Sequence, residues 1–201
     1  PRRPTLGPAA AALCALLALT ACQGSPEAGR PNTAPPSTTT SPTPTGPSTP
    51  TWTAEEQAAI TAAEQRYRAA RAAIDKALND PTKPSRKPLE AAGLAGTWVT
   101  AAIDDARSLR TNGWYRAGGV EVRSVKPEMV DLDAPQPEVT LATCVDSSAT
   151  TLHFQKDRKV VPVGPGTSRR NSFTAKVVYA PRVGTTAKAW LVVEEKAIGK
   201  C

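Results

Sequence analysis

The residues able to do proton or metal chemistry are few and scattered along the chain. The one histidine, His153, lies in Leu152-His153-Phe154, a stretch patterned as a strand. An imidazole has the pKa range for general acid or base work, but catalysis also needs a convergent partner. A lone strand histidine reads as structural or solvent-facing. Asp131 and Asp133 stand two apart, so an extended backbone puts both on one face. Paired carboxylates there could tune each other's pKa or hold a hard cation. Val130 and Leu132 alternate with them and belong in the core, which turns both carboxylates to water. Asp146 shares its face with Cys144 and reads as the acceptor that caps the Ser147-Ser148 turn. Tyr67, Trp98, Trp114 and Tyr115 could line a pocket with His153, yet aromatics make up only 4% of the chain and the core needs them first. The sequence contains no GxSxG elbow, HExxH helix, GxxxxGK loop or dinucleotide fingerprint, and Gly164-Pro165-Gly166 reads as a turn. No catalytic residue, metal or cofactor is expected.

Cysteine is the more informative residue type. Leu6–Ala21 is an uncharged, mostly apolar run behind Arg2 and Arg3, the layout of a secretion signal. At 16 residues it falls short of the roughly 20 that a membrane span needs. Position 1 is Pro, so the initiating Met is expected upstream. The run Leu19-Thr20-Ala21-Cys22 resembles the lipobox of bacterial lipoproteins, in which the Cys becomes the first mature residue and carries lipid. That resemblance implies residues 1–21 as signal peptide and Cys22 as the lipidation site. A diacylglyceryl group with an amide-linked acyl chain such as palmitate gives enough hydrocarbon for durable anchoring. The competing reading is ordinary cleavage after Ala21, which leaves a free Cys22. Cys14 departs with the signal, and Cys144 and Cys201 remain as an even pair in an oxidising compartment, so they are expected to form a disulfide. Two cysteines and one distant histidine do not supply the four ligands of a structural zinc.

From Gln23 to Pro50 the 28 residues include eight Pro, seven Thr and four Ser, with no Leu, Ile, Val or aromatic residue. Nothing in this stretch offsets the entropy of ordering a backbone, so residues 22–50 read as a lipidated Cys and disordered tether. In polyproline II it could span roughly 85 Å. Arg2, Arg3 and Arg30 against Glu27 leave the rest of the chain a net +5, and that excess is scattered. Without a basic stripe interleaved with aromatics, and with export expected, nucleic acid is excluded as a partner.

The remaining residues, 51–201, are enough for one hydrophobic core. Thr53-x-x-Glu56 is a capping-box signature, with Trp52 just outside the helix. Behind it Ile60, Ala63, Tyr67, Ala70, Ile74 and Ala77/Leu78 recur at three and four residues, one apolar stripe on a helix that Asn79-Asp80-Pro81 stops. Glu64 with Arg68 is expected to pair across one turn. A second helical region, Leu89–Leu109, carries Gly93 and Gly96, where a break is expected. Trp98, Ala102, Ala106 and Leu109 form its stripe, and Asn112-Gly113 ends it. The period then changes from 3.6 to 2. Val120, Val122 and Val125 open one strand, and Met129, Val130 and Leu132 form its expected partner. Val139, Leu141, Thr143 and Val145 point one way along the next. Thr151–Val163 reads as a hairpin turning at Lys156-Asp157-Arg158-Lys159, and Phe173–Tyr179 and Lys188–Ala197 complete the set. Helices followed by antiparallel strands predict an α+β fold with helices on one side of a curved sheet.

A long first helix, a second helix ending in Gly and a Val-rich sheet resemble the NTF2-like cone. The lipobox, Thr/Pro/Ser tether, helix pair, Thr143-Cys144-Val145-Asp146-Ser147, Trp190-Leu191-Val192 and terminal Cys201 together resemble secreted lipoproteins of high-GC Gram-positive (actinobacterial) type. The resemblance implies a cell-membrane protein, lipid-anchored on the extracytoplasmic face. Its expected role is a noncatalytic binding or assembly module of the cell envelope; the alternative is a small enzyme or carrier acting on an apolar molecule. The expected partners are the lipid bilayer through Cys22 and an envelope protein or small apolar ligand.

Overall fold

The computed structural model describes residues 51–162 and 169–201, so residues 1–50, with the expected signal, Cys14, Cys22 and the expected tether, and the turn expected at Gly164-Pro165-Gly166 lie outside the described residues. Helix α1 spans Ala54–Asn79. Its capping box is complete: Glu56 N donates to Thr53 Oγ1 at 3.2 Å, and Thr53 N donates to Glu56 Oε2 at 2.7 Å. Two donors that a helix start leaves without partners are thereby satisfied. The buried residues Ala59, Ile60, Ala63, Tyr67, Ala70, Ile74 and Leu78 follow the expected stripe. Three of these seven are alanines, which lets the helix axis approach its neighbours closely. The expected Glu64–Arg68 pair does not figure among the described ion pairs; Arg68 Nη1 instead donates to the Val122 carbonyl at 3.0 Å. A carbonyl on a sheet edge competes well with an exposed carboxylate whose pairing in water is worth about 0.3–0.5 kcal/mol.

The second helical region is two helices, α2 (Arg86–Ala91) and α3 (Gly96–Thr111). The break serves the sheet. Between them Ala95 N donates to Val192 O at 2.9 Å and Val192 N donates to Gly93 O at 2.8 Å, so the connector covers part of an edge strand. Gly96 has φ +56, and a Cβ there would meet the Val193 carbonyl oxygen at 2.8 Å, which explains why α3 starts on glycine.

Six strands follow: β1 (Trp114–Ala117), β2 (Glu121–Asp131), β3 (Glu138–Asp146), β4 (Thr151–Phe154), β5 (Arg170–Pro181) and β6 (Lys188–Gly199). They form a four-stranded antiparallel sheet in the order β2-β3-β5-β6 and a two-stranded ribbon of β1 with β4. Two readings are corrected here. Glu121–Asp131 is one strand where two were expected across residues 120–132, with register shifts between Val122 and Ser124 and between Pro127 and Met129. Pro127 lies within this strand. On an edge strand, beside a shift in register, its missing N–H removes no ladder partner. The ribbon strand β1 was not anticipated, because four residues are too few to show a period. The Thr151–Val163 hairpin is present in shortened form: Phe154 N donates to Lys159 O at 2.9 Å and Val161 N to Leu152 O at 2.8 Å, while Val163 lies outside the described residues.

The core lies between one side of the larger sheet and the helices. Val139, Leu141, Ala175, Val177 and Val192 meet α1 and the Val99, Ala102, Ile103 and Ala106 stripe of α3, all of them buried. At roughly 1.5–3 kcal/mol for each large aliphatic side chain removed from water, this layer dominates the stability of the fold. The architecture is α+β, with helices against an unclosed antiparallel sheet.

On the opposite side of the sheet a disulfide joins Cys144 to Cys201 across a sequence separation of 57. From Lys196 to Cys201 every residue is exposed, so no apolar burial holds this last stretch. The disulfide and the ladder to β5 do. Cys201→Ser is therefore expected to cost about 2–5 kcal/mol in denaturant melts. Hydrogen exchange is expected to show amides 196–199 losing protection while the α1 amides keep theirs. Two free thiols in native mass spectrometry of the wild-type protein would contradict the pairing.

Candidate functional site

Polar side chains concentrate in one place in the interior, between the middle of α1 and the sheet. Tyr67 and Arg71 stand four residues apart on α1 and so share a face. Glu195 pairs across the ladder with Ala175, a core residue, and therefore points to the helix side of β6. The Tyr67 hydroxyl donates to Glu195 Oε1 at 2.7 Å and accepts from Arg71 Nε at 3.1 Å. Arg71 Nη2 reaches the same carboxylate oxygen at 2.5 Å. Since the phenol's one proton goes to Glu195, the 3.0 Å contact with Thr143 Oγ1 has Thr143 as donor, the Phe173 carbonyl at 3.4 Å competing for the same proton. Every hydrogen-bonding site of the phenol is then filled. The Arg71 and Glu195 side chains are 13% and 6% exposed. The guanidinium carbon also lies 4.9 Å from the Phe173 ring centroid and 5.5 Å from that of Trp98, and Trp98 stacks parallel to Tyr67 at 5.9 Å.

Burial governs the protonation of this cluster. It pushes the Tyr67 phenol up to about 12, with Arg71 pulling the other way. Burial also raises the Glu195 carboxyl, against the opposing pull of Arg71 and the Tyr67 hydrogen bond. One turn further along α1, Asp75 accepts from Arg116 Nη2 of β1 and from Val120 N, the latter at 3.0 Å. Burial lowers the Arg116 pKa, and its Nε has no hydrogen-bond partner. The carboxyl of Asp105, facing Arg116, is raised by burial and by Asp104. α1 is thus tied to β6 by one largely buried ion pair and to β1 by a partly buried one.

The sequence-predicted residues fall into separate places. Tyr67 and Trp98 meet in the core. Trp114 lies on the ribbon opposite Phe154, and His153 opposite Tyr115, whose ring it stacks on at 5.3 Å. His153 Nδ1 donates to the Arg158 carbonyl at 2.8 Å, which leaves Nε2 to accept from Thr151 Oγ1 at 2.8 Å. The two halves of the expected pocket are therefore not one site. Asp131 ends β2 and its Oδ1 accepts from the amides of Asp133 and Ala134 at 3.2 and 2.9 Å, so it builds a turn in which Asp133 sits. Asp146 does cap its turn, accepting from Ser148 N at 2.9 Å, and also binds Arg170 Nε at 2.8 Å and Arg123 Nη2 at 3.3 Å. The Ser148 hydrogen bonds and these two arginines hold its carboxyl well below the usual range. Among the described residues no three His, Cys, Asp or Glu side chains converge as a metal site would need. Arg71, Glu195, Asp75 and Arg116 escaped sequence reasoning. Their signal was the spacing of Tyr67, Arg71 and Asp75 beside the apolar stripe, with Glu194-Glu195 on a strand, where one of two adjacent carboxylates must face inward.

Open surface lies elsewhere. A groove of about 370 Å³ crosses the start of α1, walled by Ala58, Ala59, Leu132, Pro137, Tyr179 and Trp190. A cleft of about 520 Å³ runs between the α1 C-terminus and the ribbon, past Tyr115, Gln155 and Arg158. Neither is lined by Tyr67, Trp98, Trp114 or His153.

No family model matches the chain, and no curated protein matches it. Among solved structures it is similar to the intermembrane space region of the chloroplast protein ARC6, at 12% identity and a TM-score of 0.44, over 75% of this chain and 100% of that one.

Removing one member of the buried pair leaves the other charged and unpaired in the interior. Glu195→Ala or Arg71→Ala is expected to cost about 3–5 kcal/mol, whereas Arg71→Met with Glu195→Leu should cost far less than the two single changes together. Additive losses in urea melts would contradict the coupling. Tyr67 adds a pH signature. Its folded pKa is raised, so its contribution to stability is complete below the ordinary phenol value of 10 and is lost as pH climbs toward about 12. Absorbance titration is expected to show a tyrosinate transition near 12 that is missing in Tyr67→Phe.

Proposed function

We propose that the chain is a lipoprotein anchored through Cys22 on the extracytoplasmic face of the cell membrane, and that its folded part is a noncatalytic binding or assembly module of the envelope. The observation that carries this reading is the closure of the interior polar cluster. The Tyr67 hydroxyl, Arg71 Nε and Nη2, Thr143 Oγ1 and Glu195 Oε1 are bonded to one another, with Phe173 and Trp98 packed over the guanidinium. A small enzyme of this architecture needs an acid or base that faces bound substrate in a mostly apolar cavity. The raised carboxyl of Glu195 has the chemistry for that task, but its position faces α1. Binding then falls to the surface. We further propose an NTF2-like fold, supported by the long helix laid against one side of an antiparallel sheet whose register shifts bend it. The Cys144–Cys201 disulfide agrees with an oxidising compartment.

Two experiments test this. Cys22→Ala is expected to move the protein from the membrane fraction to the medium, or to leave it unprocessed; unchanged partitioning into the detergent phase would contradict the anchor. Cross-linking in intact cells, then purification from detergent-solubilised membranes, is expected to recover the same partner with wild-type and Tyr67→Phe protein. Turnover of a small apolar molecule that disappears in folded Tyr67→Phe protein would overturn the noncatalytic reading.

A further inference from the structure

Three cavities adjoin at the end of the molecule where α1 stops. One of about 380 Å³ lies between α1 and α2 and takes in Lys76, Asp80 and Lys83. The cleft of about 520 Å³ beside the ribbon shares Asp80 with it and adds Asn79, Tyr115, Gln155 and Arg158. A third, of about 550 Å³, shares Gln155 and continues past Asn112, Phe154 and Lys156. The charged residues that line the three are four cations and one carboxylate. Among the described residues none of those cations has an ion pair, whereas Lys159 lies 4.0 Å from Asp157. Lys76, in the last turn of α1, answers the negative end of the helix dipole. Asp80 Oδ1 accepts from Thr82 N at 3.3 Å and from the Thr82 hydroxyl at 2.5 Å. The charge left over is positive and comes from Lys83, Lys156 and Arg158.

Arg158 is the non-glycine residue with positive φ, +58, among the described residues. A side chain held there costs energy that glycine would avoid, and such strain gathers where a ligand is met. Its backbone is fixed on both sides: Arg158 N donates to Phe154 O at 3.0 Å, and His153 Nδ1 donates to Arg158 O at 2.8 Å. His153 stacks on Tyr115, so the turn that carries Arg158 is tied to another wall of the same cleft. The amides beside these cations have spare acceptors. Asn112 Nδ2 is spent on Ser108 O at 2.8 Å and Gln155 Nε2 on Trp114 O at 2.7 Å. Asn112 Oδ1 and Gln155 Oε1 have no hydrogen bond among the described residues, and a carbonyl oxygen accepts from a hydroxyl. A membrane surface favours apolar insertion beside a flat basic face, whereas these groups line recesses.

We propose that these clefts bind an anionic, hydroxyl-rich polymer of the envelope, whose carboxylates or phosphodiesters meet Lys83, Lys156 and Arg158 and whose hydroxyls donate to Asn112 and Gln155. The inference rests on the binding-module reading and gives that module a surface and a ligand class.

The test uses the full chain in micelles of an uncharged detergent, with labelled hexamers followed by fluorescence anisotropy. Hexagalacturonate and a glycerol-phosphate hexamer carry the anion on a hydroxyl-bearing chain, maltohexaose has hydroxyls without charge, and hexaglutamate has charge without hydroxyls. One of the first two is expected to bind about tenfold more tightly than either control, and added salt should weaken it. Which of the two binds tells carboxylate from phosphodiester. The pair Lys83→Glu/Lys156→Glu, both at exposed positions, should reduce that affinity about tenfold. Arg158→Gly separates binding from folding. Glycine accepts the backbone at that position, so the melting temperature should be unchanged or raised while affinity falls about fivefold. Binding by neither anionic hexamer, equal binding of a control, or wild-type affinity in these variants would overturn the proposal. So would displacement of the hexamer by phosphatidylglycerol added to the micelles at equal charge, which would assign the surface to lipid headgroups. If the hexamers fail while cross-linking in cells still recovers a partner, the ligand is wrong and the module reading stands. If wild type neither binds a hexamer nor recovers a partner, the module reading itself fails.

Discussion

A guanidinium and a carboxylate paired between a helix and a sheet, mostly out of water, constrain everything around them. Neither Arg71 nor Glu195 can lose its partner without leaving a charge in a medium that solvates it poorly. The geometry that satisfies them requires α1 to lie at one height and one rotation over β6. It requires Thr143 at the middle of β3, to donate to the phenol that both groups share. It also requires Trp98 of α3 and Phe173 of β5 to close around the guanidinium. Apolar burial supplies most of the stability, but Val, Ile, Leu and Ala surfaces tolerate sliding. A four-group polar contact does not, and such clusters specify one arrangement among many compact ones.

The surface around this cluster is uneven. One end of α1 meets the ribbon through the Asp75–Arg116 pair. The other end meets a trough between Tyr179 and Trp190. Across the sheet, the disulfide secures a terminal stretch that nothing else buries.

Much of this was legible in the residues, and the reasons differ by element. α1 was legible to the residue because its cap, its stripe and its Pro81 stop agree with one another. The glycine break before α3 was legible because only glycine accepts the backbone at position 96 with the Val193 carbonyl so near. β2 was misread because the register shifts between Val122 and Ser124 and between Pro127 and Met129 interrupt the two-residue alternation. The buried charges were hidden for a related reason. A charged residue beside an apolar stripe is usually solvated, and only the placement of Glu195 across the sheet, more than a hundred residues away in sequence, turns Arg71 inward. Tyr67 and Trp98 were singled out as pocket residues on their chemistry. They do lie together, as the walls around an arginine supplied by the chain itself.

The exchange rate of the Arg71 Nε–H proton, followed by nitrogen-edited NMR, tests this account most directly. That proton is donated to the Tyr67 hydroxyl inside the cluster. If the cluster is closed and holds α1 on the sheet, the proton is expected to exchange as slowly as the amides of Leu141 and Val177 and to be released only with global unfolding. Exchange as fast as that of a surface arginine such as Arg107, with those amides still protected, would mean the interior opens to water on its own, and would contradict the account.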